Sequence, residues 1–451
     1  MHESFAPRFS RLQLWMIAVL AVALLASAGV ITWRIVSGDE STSAPGDALA
    51  QHVVSLSESE LTVAALDGTD AKTTSLPSAF DAILVADQGR WLLEDNRDTV
   101  VNYFDLAARQ PELRSVELPF PGFAIHPRTV RLGNDVVLLY SPDGSLGLAV
   151  VNLLDGTAYP IASARGKYFE AGSVRDYLLF KEVDGLKTVI VPIADPTALW
   201  TMNGAVVDIR GTTTLIATVD GRASYLTVYE GLKAVGVRVQ VENPIMGGML
   251  TETGAVVLER TGAVSVLDNV TGKVKRAGVS EFGAQGAIPV ADDRLYGWGG
   301  EGSAVLDPEG APLSTYPLGT TDTGERRPLV ATAGGSAAGC LVLQPGPQLK
   351  PAGAGALLIS IADGAELATL DASPSWVSPD GCTLIGLDSQ VIIEGKPVEV
   401  DLDQVFSVSR DRGSVLGMRR SGDGDATFVL LDLATREVTE LGAGFHLFAT
   451  F

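Results

Sequence analysis

The chain has 451 residues and a formal net charge of −21, from 54 Asp and Glu against 33 Lys and Arg. An acidic surface of this kind repels phosphate backbones, so the composition argues against nucleic-acid binding. Hydrophobic residues make up 46% of the chain but aromatic residues only 6%, and 49 Gly and 23 Pro divide it into short segments, which favours many short β-strands over long helices.

An uncharged segment near the N-terminus predicts one transmembrane helix. Residues 14–33 carry no charge, and a helix of that length spans about 30 Å, the thickness of the hydrocarbon core of a bilayer. Four residues are typical of the membrane interface at its ends: Trp15, Trp33, Arg8 and Arg11. The positive-inside rule places residues 1–13 in the cytoplasm and the large domain outside. We therefore expect a signal anchor over residues 14–36 in the cell membrane.

A cleaved signal peptide is the alternative to an anchor. Residues 26–28, Ala-Ser-Ala, resemble a small-residue cleavage site. The apolar run continues past them to Trp33, which favours an uncleaved anchor. Residues 37–51 are small and polar, and their composition predicts a flexible linker.

One hairpin unit recurs through residues 52–451. In its clearest copy, residues 263–267 predict a half-buried strand, residues 268–272 supply turn chemistry, and basic residues begin the return strand. Ten such units end in an acidic residue near the turn: Asp67, Asp105, Asp155, Asp195, Glu230, Asp268, Asp307, Asp363, Glu394 and Asp432. The distance from Asp268 to Asp432 is 164 residues, or four steps of 41.

A repeat of about 40 residues with four short strands is the blade of a β-propeller. The sequence therefore predicts an all-β fold, a single β-propeller of eight to ten four-stranded blades. Residues 52–57 and 446–451 are both strand-like and lack neighbouring strands of their own. We expect them to pair in one composite blade, because that pairing removes both open edges.

Three segments resemble known propeller repeats. Residues 266–274 (VLDNVTGKV) resemble the repeat of the pyrroloquinoline-quinone-type (PQQ-like) superfamily, and residues 376–384 (WVSPDGCTL) resemble TolB-like and WD40-like repeats. Residues 140–144 (YSPDG) are a shorter version of the second pattern. The resemblance is diffuse over residues 52–451 and implies a propeller, a fold that serves many functions.

No motif in the sequence predicts catalysis, and we expect no cofactor and no metal. His126 lies in a Pro-rich segment, where we expect a loop or rim histidine. Asp423 and Asp425 could supply two ligands of a calcium loop, but the third acidic ligand that such a loop needs is missing. We therefore expect a hairpin turn at these residues. Residues 94–98 predict a solvated turn. A quinone-dependent dehydrogenase is disfavoured, since such enzymes often carry adjacent cysteines and this chain has none.

Cys340 and Cys382 are separated by 42 residues, or one repeat, and each follows a Gly and begins an apolar strand. We therefore expect the two cysteines to occupy equivalent positions in neighbouring blades. Outside the cytoplasm a disulfide between them would restrict the unfolded chain. Equivalent strands of neighbouring blades can also lie too far apart for disulfide geometry, so two buried thiols are the alternative.

These observations favour a non-catalytic protein-interaction scaffold or binding module in the cell envelope. We expect an envelope or membrane protein as partner, with a cell-wall polymer as a further candidate and no nucleic acid. The alternative is an extracytoplasmic hydrolase or lyase with its site at the mouth of the propeller channel. A receptor that signals inward is disfavoured by the short segment before the anchor. An apolar patch on a rim would favour a protein partner, and acids, His or Trp converging at the channel mouth would favour the enzyme.

Overall fold

The computed structural model describes residues 51–450 with gaps, and the gaps are residues 58, 77–82, 86–88, 95–98, 120, 132–133, 143, 162–165, 221–222, 280–282, 292, 317–318, 321–325, 328, 334–338, 346–354, 372, 379, 421–425 and 442–443. Within the described residues, ten antiparallel sheets of four strands form the ten blades of one β-propeller. The prediction of eight to ten blades is therefore confirmed, at ten.

The first four blades contain the following elements. Blade 1 has β1 (Gln51–Leu56), β2 (Glu60–Ala65), β3 (Lys72–Ser75) and β42 (Phe445–Thr450). Blade 2 has β4 (Ile83–Val85), β5 (Trp91–Glu94), β6 (Val100–Asp105) and β7 (Leu113–Glu117). Blade 3 has β8 (Ala124–Ile125), helix α1 (Pro127–Arg131), β9 (Val136–Tyr140), β10 (Leu148–Asn152) and β11 (Thr157–Pro160). Blade 4 has β12 (Tyr168–Val174), β13 (Tyr177–Glu182), β14 (Lys187–Pro192) and β15 (Trp200–Asn203).

The next three blades are the most regular. Blade 5 has β16 (Ala205–Arg210), β17 (Thr213–Asp220), β18 (Ala223–Glu230) and β19 (Lys233–Val241). Blade 6 has β20 (Ile245–Leu250), β21 (Gly254–Glu259), β22 (Ala263–Asp268) and β23 (Val274–Val279). Blade 7 has β24 (Ala284–Val290), β25 (Arg294–Gly299), β26 (Gly302–Leu306) and β27 (Pro312–Tyr316), and is followed by the hairpin β28 (Gly319–Thr320) and β29 (Arg326–Arg327).

The last three blades complete the ring. Blade 8 has β30 (Leu329–Ala333), β31 (Cys340–Pro345), β32 (Ala356–Ser360) and β33 (Glu366–Leu370). Blade 9 has β34 (Pro374–Val377), β35 (Thr383–Gly386), β36 (Val391–Ile393) and β37 (Lys396–Val398). Blade 10 has β38 (Gln404–Val408), β39 (Ser414–Arg420), β40 (Ala426–Asp432) and β41 (Val438–Glu440).

Strands follow chain order across each blade from the channel outward, except in blade 1, where the order is β42-β1-β2-β3. The first strands of neighbouring blades contact one another, as β16 contacts β20, so these strands form the channel wall. In blade 1 the inner strand is β42, which pairs antiparallel with β1 from Gln51 with Thr450 to Leu56 with Phe445. The N-terminal and C-terminal strands thus share one blade, as expected from their sequences.

A separate apolar cluster fills each gap between neighbouring blades. Leu93 of blade 2 and Val137 of blade 3 belong to one cluster, and Val53 of blade 1 and Leu416 of blade 10 belong to another. Ten clusters of this kind match the ten pairs of neighbouring blades, so the ring is closed. Each Å² of apolar surface that they remove from water contributes about 25 cal/mol.

The aspartate of the repeat accepts hydrogen bonds from the turn between the third and fourth strands in eight blades, whereas Glu230 and Glu394 bond groups outside that turn. Each of the ten predicted positions lies at the end of a third strand or just after it, one in each blade. In the clearest copy, β22 pairs with β23, which confirms the predicted hairpin, and Asp268 Oδ1 accepts bonds from Val270 N at 2.9 Å and Thr271 N at 2.8 Å. An acceptor in this position satisfies turn N–H groups that no strand can pair.

The prediction of a solvated turn over residues 94–98 is wrong for its first residue. Glu94 ends β5 with 3% of its surface exposed, and its carboxylate accepts a bond from Asn102 Nδ2 on β6. The neighbouring strand provides the partner that burial of a charge requires. Residues 95–98 lie outside the described part of the chain.

Candidate functional site

The connections between strands emerge at two opposite ends of the ring. Because neighbouring strands are antiparallel, connections after first and third strands lie at one end, and those after second and fourth strands at the other. We call the end that carries residues 211–212 and 269–273 the turn face. The end that carries residues 183–186 and Gly204 is the loop face.

Five large apolar side chains are exposed on the loop face of blades 3, 4 and 5. Leu186 is 77% exposed and Val219 is 75% exposed, and the other three are between 39% and 46% exposed. We call this set the apolar strip: Leu146, Phe169, Val183, Leu186 and Val219. Phe169 lies near the start of inner strand β12, so the strip runs from the channel mouth toward the outside of the ring.

Backbone contacts join the blade 3 and blade 4 parts of the strip. Gly144 lies in the connection between β9 and β10 and has a φ of +71°. It approaches Tyr168 so closely that an added Cβ would lie 2.8 Å from Tyr168 O. Glycine is therefore required there by both conformation and space. Val183 N donates to Lys167 O at 3.0 Å, which fixes the next turn beside the same segment.

A single glycine connects the blade 4 and blade 5 parts of the strip. Gly204 N donates to Leu186 O at 2.8 Å. A Cβ added at Gly204 would lie 2.8 Å from Ala217 O, on the strand that carries Val219. The two most exposed members of the strip therefore flank one backbone junction. Exposed apolar side chains that gather on neighbouring turns are a feature of interaction surfaces.

The channel wall carries a buried charge that joins four blades. Asp208 of blade 5 is fully buried, and Arg175 of blade 4 donates to its two oxygens at 2.7 and 3.2 Å. Leu250 N of blade 6 donates to the same carboxylate at 2.7 Å, and Arg175 Nη1 donates to Val290 O of blade 7 at 3.1 Å. We call Asp208, Arg175 and the partner groups on Leu250 and Val290 the Asp208 hub.

A second ion pair lies beside the Asp208 hub. Arg210, two residues along β16, pairs with Asp293 of blade 7, and its Nε lies 4.0 Å from Asp208. Carboxylate oxygens so fully engaged cannot act as a base without breaking contacts between blades. The arrangement therefore explains how blades 4 to 7 are held together.

His126 lies in the connection between β8 and α1, which agrees with the predicted loop position, but it is buried and does not lie on a rim. It is 3% exposed, because His126 N continues the β8 ladder by bonding Leu138 O and the ring packs against Tyr140 and Phe180. Its Nε2 lies 3.2 Å from Glu170 Oε1 on the next blade. The bond from His126, with a smaller attraction from Arg128, lowers the pKa of Glu170 despite partial burial.

Cys340 and Cys382 form a disulfide with an S–S distance of 2.04 Å and a Cα–Cα distance of 5.1 Å. Cys340 begins β31 and Cys382 directly precedes β35, which are the second strands of blades 8 and 9. The close approach occurs at the turn face, where Gly381 has a φ of +73° and an added Cβ would lie 2.5 Å from Cys340 O. The glycine before the cysteine is thus what lets two neighbouring blades come within bonding distance.

Several residues predicted from the sequence cannot be placed. The predicted anchor of residues 14–36 and the turn residues Asp423 and Asp425 lie outside the described residues, as do the four interface residues Trp15, Trp33, Arg8 and Arg11. No helix among the described residues is long and apolar enough to span a membrane. Within that same part of the chain, no group of three His, Cys, Asp or Glu side chains is arranged to hold a metal ion.

The apolar strip and the Asp208 hub were not predicted, although both leave a signal in the sequence. Val183 and Val219 each begin the tripeptide Val-Asp-Gly at the turn after the second strand, in consecutive blades. Asp208 interrupts the otherwise apolar run of residues 205–209. A charge inside an apolar strand requires a partner, but the sequence does not say which blade supplies it.

No protein-family model matches the sequence, and no curated protein matches it. Among solved structures, dihydro-heme d1 dehydrogenase NirN in complex with DHE matches at 14% identity over 86% of this chain and 78% of that chain, with a TM-score of 0.39. BamB from Moraxella catarrhalis matches at 12% identity over 76% and 94%, with a TM-score of 0.32. Apo AztD from Citrobacter koseri matches at 11% identity over 90% and 98%, with a TM-score of 0.30. Similarities this low carry no argument about function.

Proposed function

We propose that this protein is a non-catalytic interaction module of the cell envelope. Residues 14–36 hold the propeller at the outer side of the cell membrane, and the propeller binds a partner protein through the apolar strip. The observation that carries the proposal is the exposure of Leu186 and Val219, at 77% and 75%, on adjoining turns of one face. Removing such side chains from water on binding contributes about 25 cal/mol per Å².

The channel wall supports this function over the alternative of an enzyme at the channel mouth. The acidic groups there are engaged between blades, Asp208 with Arg175 and Glu170 with His126. A general acid or base must be able to exchange its proton with a substrate within hydrogen-bond reach. The described channel wall uses these charges to join blades.

Site-specific crosslinking in intact membranes tests the proposal. A photoreactive amino acid is placed at Leu186 or Val219, and in matched controls at Leu232 or Val270, which are 71% and 78% exposed on the turn face. Purification and mass spectrometry should recover one or two stoichiometric envelope proteins from the loop-face positions only. Equal recovery from both faces, or no crosslinked partner from either loop-face position, would overturn the proposal.

Paired substitutions test whether the strip supplies the binding energy. Leu186→Glu with Val219→Glu should weaken binding to the recovered partner by at least about tenfold, because two charges then enter an apolar interface. Leu232→Glu with Val270→Glu adds the same charge to the turn face and should leave binding unchanged. Retained circular dichroism and unfolding temperature in both variants would separate a lost interface from a lost fold.

Membrane attachment is tested separately by fractionation. The full chain should stay in the membrane pellet after alkaline carbonate extraction, and a chain in which residues 14–36 are replaced by a cleavable signal peptide should become soluble in the same compartment. Release of the unaltered full chain by carbonate would contradict the anchor.

A further inference from the structure

An open cleft of about 580 Å³ lies on the turn face of blade 2, beneath the connection from β6 to β7. Six residues line it: Asp105, Ala108, Arg109, Gln110, Glu112 and Arg114. Lys72 of blade 1 holds the connection in place, since its Nζ donates to Ala108 O at 3.2 Å. The cleft lies on the opposite face of the ring from the apolar strip.

Blade 2 departs from the repeat at this position. In blades 1 and 6 the turn aspartates Asp67 and Asp268 are solvent-exposed or half-buried, and they bond only the turn that follows them. Asp105 is instead 5% exposed, and Arg90 donates to both its oxygens at 2.8 and 2.7 Å. A position where one repeat departs from the pattern of the others is a candidate functional site.

The Arg90 contact removes one negative charge from the balance of the cleft. A bidentate guanidinium neutralises the carboxylate of Asp105, and Ala107 N donates to it as well at 3.2 Å. With Asp105 paired to Arg90, the other ionised side chains on the cleft wall are Arg109, Arg114 and Glu112, whose charges sum to +1. Asp135 of blade 3 lies 3.8 Å from the same Arg90, outside the cleft wall. In a chain of net charge −21, two arginines on one cleft wall are a local departure from the acidic surface.

The two arginines are held differently. Arg114 lies beside the phenol of Tyr103, and although burial raises the pKa of that phenol, the guanidinium acts in the opposite direction. Arg109 is exposed and makes no hydrogen bond or ion pair with the described residues, so its donors are available. Gln110, between them in sequence, adds an amide that can donate or accept.

We propose that this cleft binds an oxyanion, the phosphate or carboxylate group of a ligand, through Arg109 and Arg114. The planar fork of donors on guanidinium matches both groups, and hydrogen bonds between two ions are about twice as strong as neutral ones. Anions are repelled by the rest of this acidic surface, so a ligand that binds here is selected by the cleft and not by general attraction.

Calorimetric titration of the propeller-bearing full chain in detergent tests the site. Inorganic phosphate and succinate serve as probes, each at low and at physiological ionic strength. Saturable binding should weaken by at least about tenfold in the variant Arg109→Ala with Arg114→Ala, as expected for the loss of charge-assisted bonds. The control is Lys275→Ala with Arg276→Ala, which removes the same charge from exposed positions of β23 and should bind like the unaltered protein.

The outcomes separate the sources of the anion. Binding of phosphate alone identifies a phosphorylated ligand, and binding of succinate alone identifies a carboxylate, and either supports the cleft. No saturable binding of either probe to the unaltered protein would overturn it, and so would equal weakening in the control variant. Unfolding temperatures of both variants, measured alongside, show whether a loss of binding reflects a loss of fold.

Discussion

Blades 5 to 7 and blades 8 to 9 are joined by different means. In the first region the inner strands approach through glycine, and a Cβ added at Gly247 would lie 2.1 Å from Ala287 O of the next blade. The Asp208 hub then ties the same strands together from the turn face. Apolar clusters fill the gaps in both regions, but in the second region a disulfide also joins the two blades at the turn face.

The two regions therefore join neighbouring blades in two different ways. Blades in a closed ring must resist being pulled apart, because each packs its apolar faces only against its two neighbours. Close backbone approach and a buried charge depend on every partner being present, so one substitution affects several blades. A disulfide acts through the unfolded chain, and its removal should affect only the two blades it joins.

The largest expected effect is at the Asp208 hub. Asp208→Ala leaves the guanidinium of Arg175 buried without its counter-charge, which should lower the free energy of unfolding by about 3–5 kcal/mol in urea denaturation. The control is Asp401→Ala, whose carboxylate is 98% exposed beside Arg419 and should cost no more than about 1 kcal/mol. Equal costs for the two variants would show that the hub does not hold blades 4 to 7.

Removal of the disulfide should have the next largest effect. Cys340→Ala with Cys382→Ala should lower the free energy of unfolding by about 2–4 kcal/mol, because the unfolded chain regains the freedom of a closed loop. Hydrogen exchange followed by mass spectrometry should show faster exchange in blades 8 and 9 and unchanged exchange in blades 5 to 7. Faster exchange around the whole ring would show that the disulfide stabilises more than the two blades it joins.

A methyl group at the tight inner strand should have a smaller effect. Gly247→Ala forces the backbones of β20 and β24 apart and should cost about 1–3 kcal/mol by urea denaturation. The matched control is Gly278→Ala on outer strand β23, where nothing lies within 4 Å of an added Cβ. If the two variants are equally stable, the close approach contributes nothing to blades 5 to 7.

Substitution of the turn aspartates should have the smallest effect on stability, and it should be similar in both regions. Hydrogen bonds from turn N–H and hydroxyl groups lower the pKa values of Asp67, Asp268, Asp363 and Asp432. A lowered folded pKa gives stability that is present above the unfolded pKa of about 4 and is lost as the pH falls through the folded pKa. The four Asp→Asn substitutions should therefore flatten the dependence of the urea midpoint on pH below about 4.

A control for that prediction lies on the loop face. Asp184→Asn alters an exposed carboxylate that makes no hydrogen bond with the described residues, and the pH dependence should stay as in the unaltered chain. A dependence equally steep in the fourfold variant would show that the turn bonds do not report on stability in either region.

The fold was predictable because its signals are local. A turn aspartate such as Asp268 acts within a few residues, so the sequence alone marks all ten third strands. The pairing of Cys340 with Cys382 was weighed but not decided, because a spacing of one repeat gives equivalent positions and not a distance. The burial of His126 and Glu94 was not predictable from local sequence, because the side chains that contact them come from other strands: Tyr140 and Phe180 for His126, and Asn102 for Glu94.

The candidate surfaces were beyond the sequence for the same physical reason. The partners of Asp208 lie 33 and 42 residues away, and the carbonyl that Arg175 reaches lies 115 residues away, so no local pattern connects them. The strip consists of turns from three different blades. Their arrangement on the loop face depends on how the blades are arranged in the ring, and the sequence of a single blade does not show it. The cleft in blade 2 required the ion pair of Arg90 with Asp105 to be known first.

The composite blade imposes an order on synthesis. His446 Nδ1 and Ser55 Oγ lie 2.8 Å apart although 391 residues separate them, and β42 is the innermost strand of the blade whose outer strands are made first. During synthesis, β1 therefore presents an unpaired edge while the nine later blades are made. Closure of the ring therefore waits for β42, and until then the edge of β1 is open to pairing with other chains.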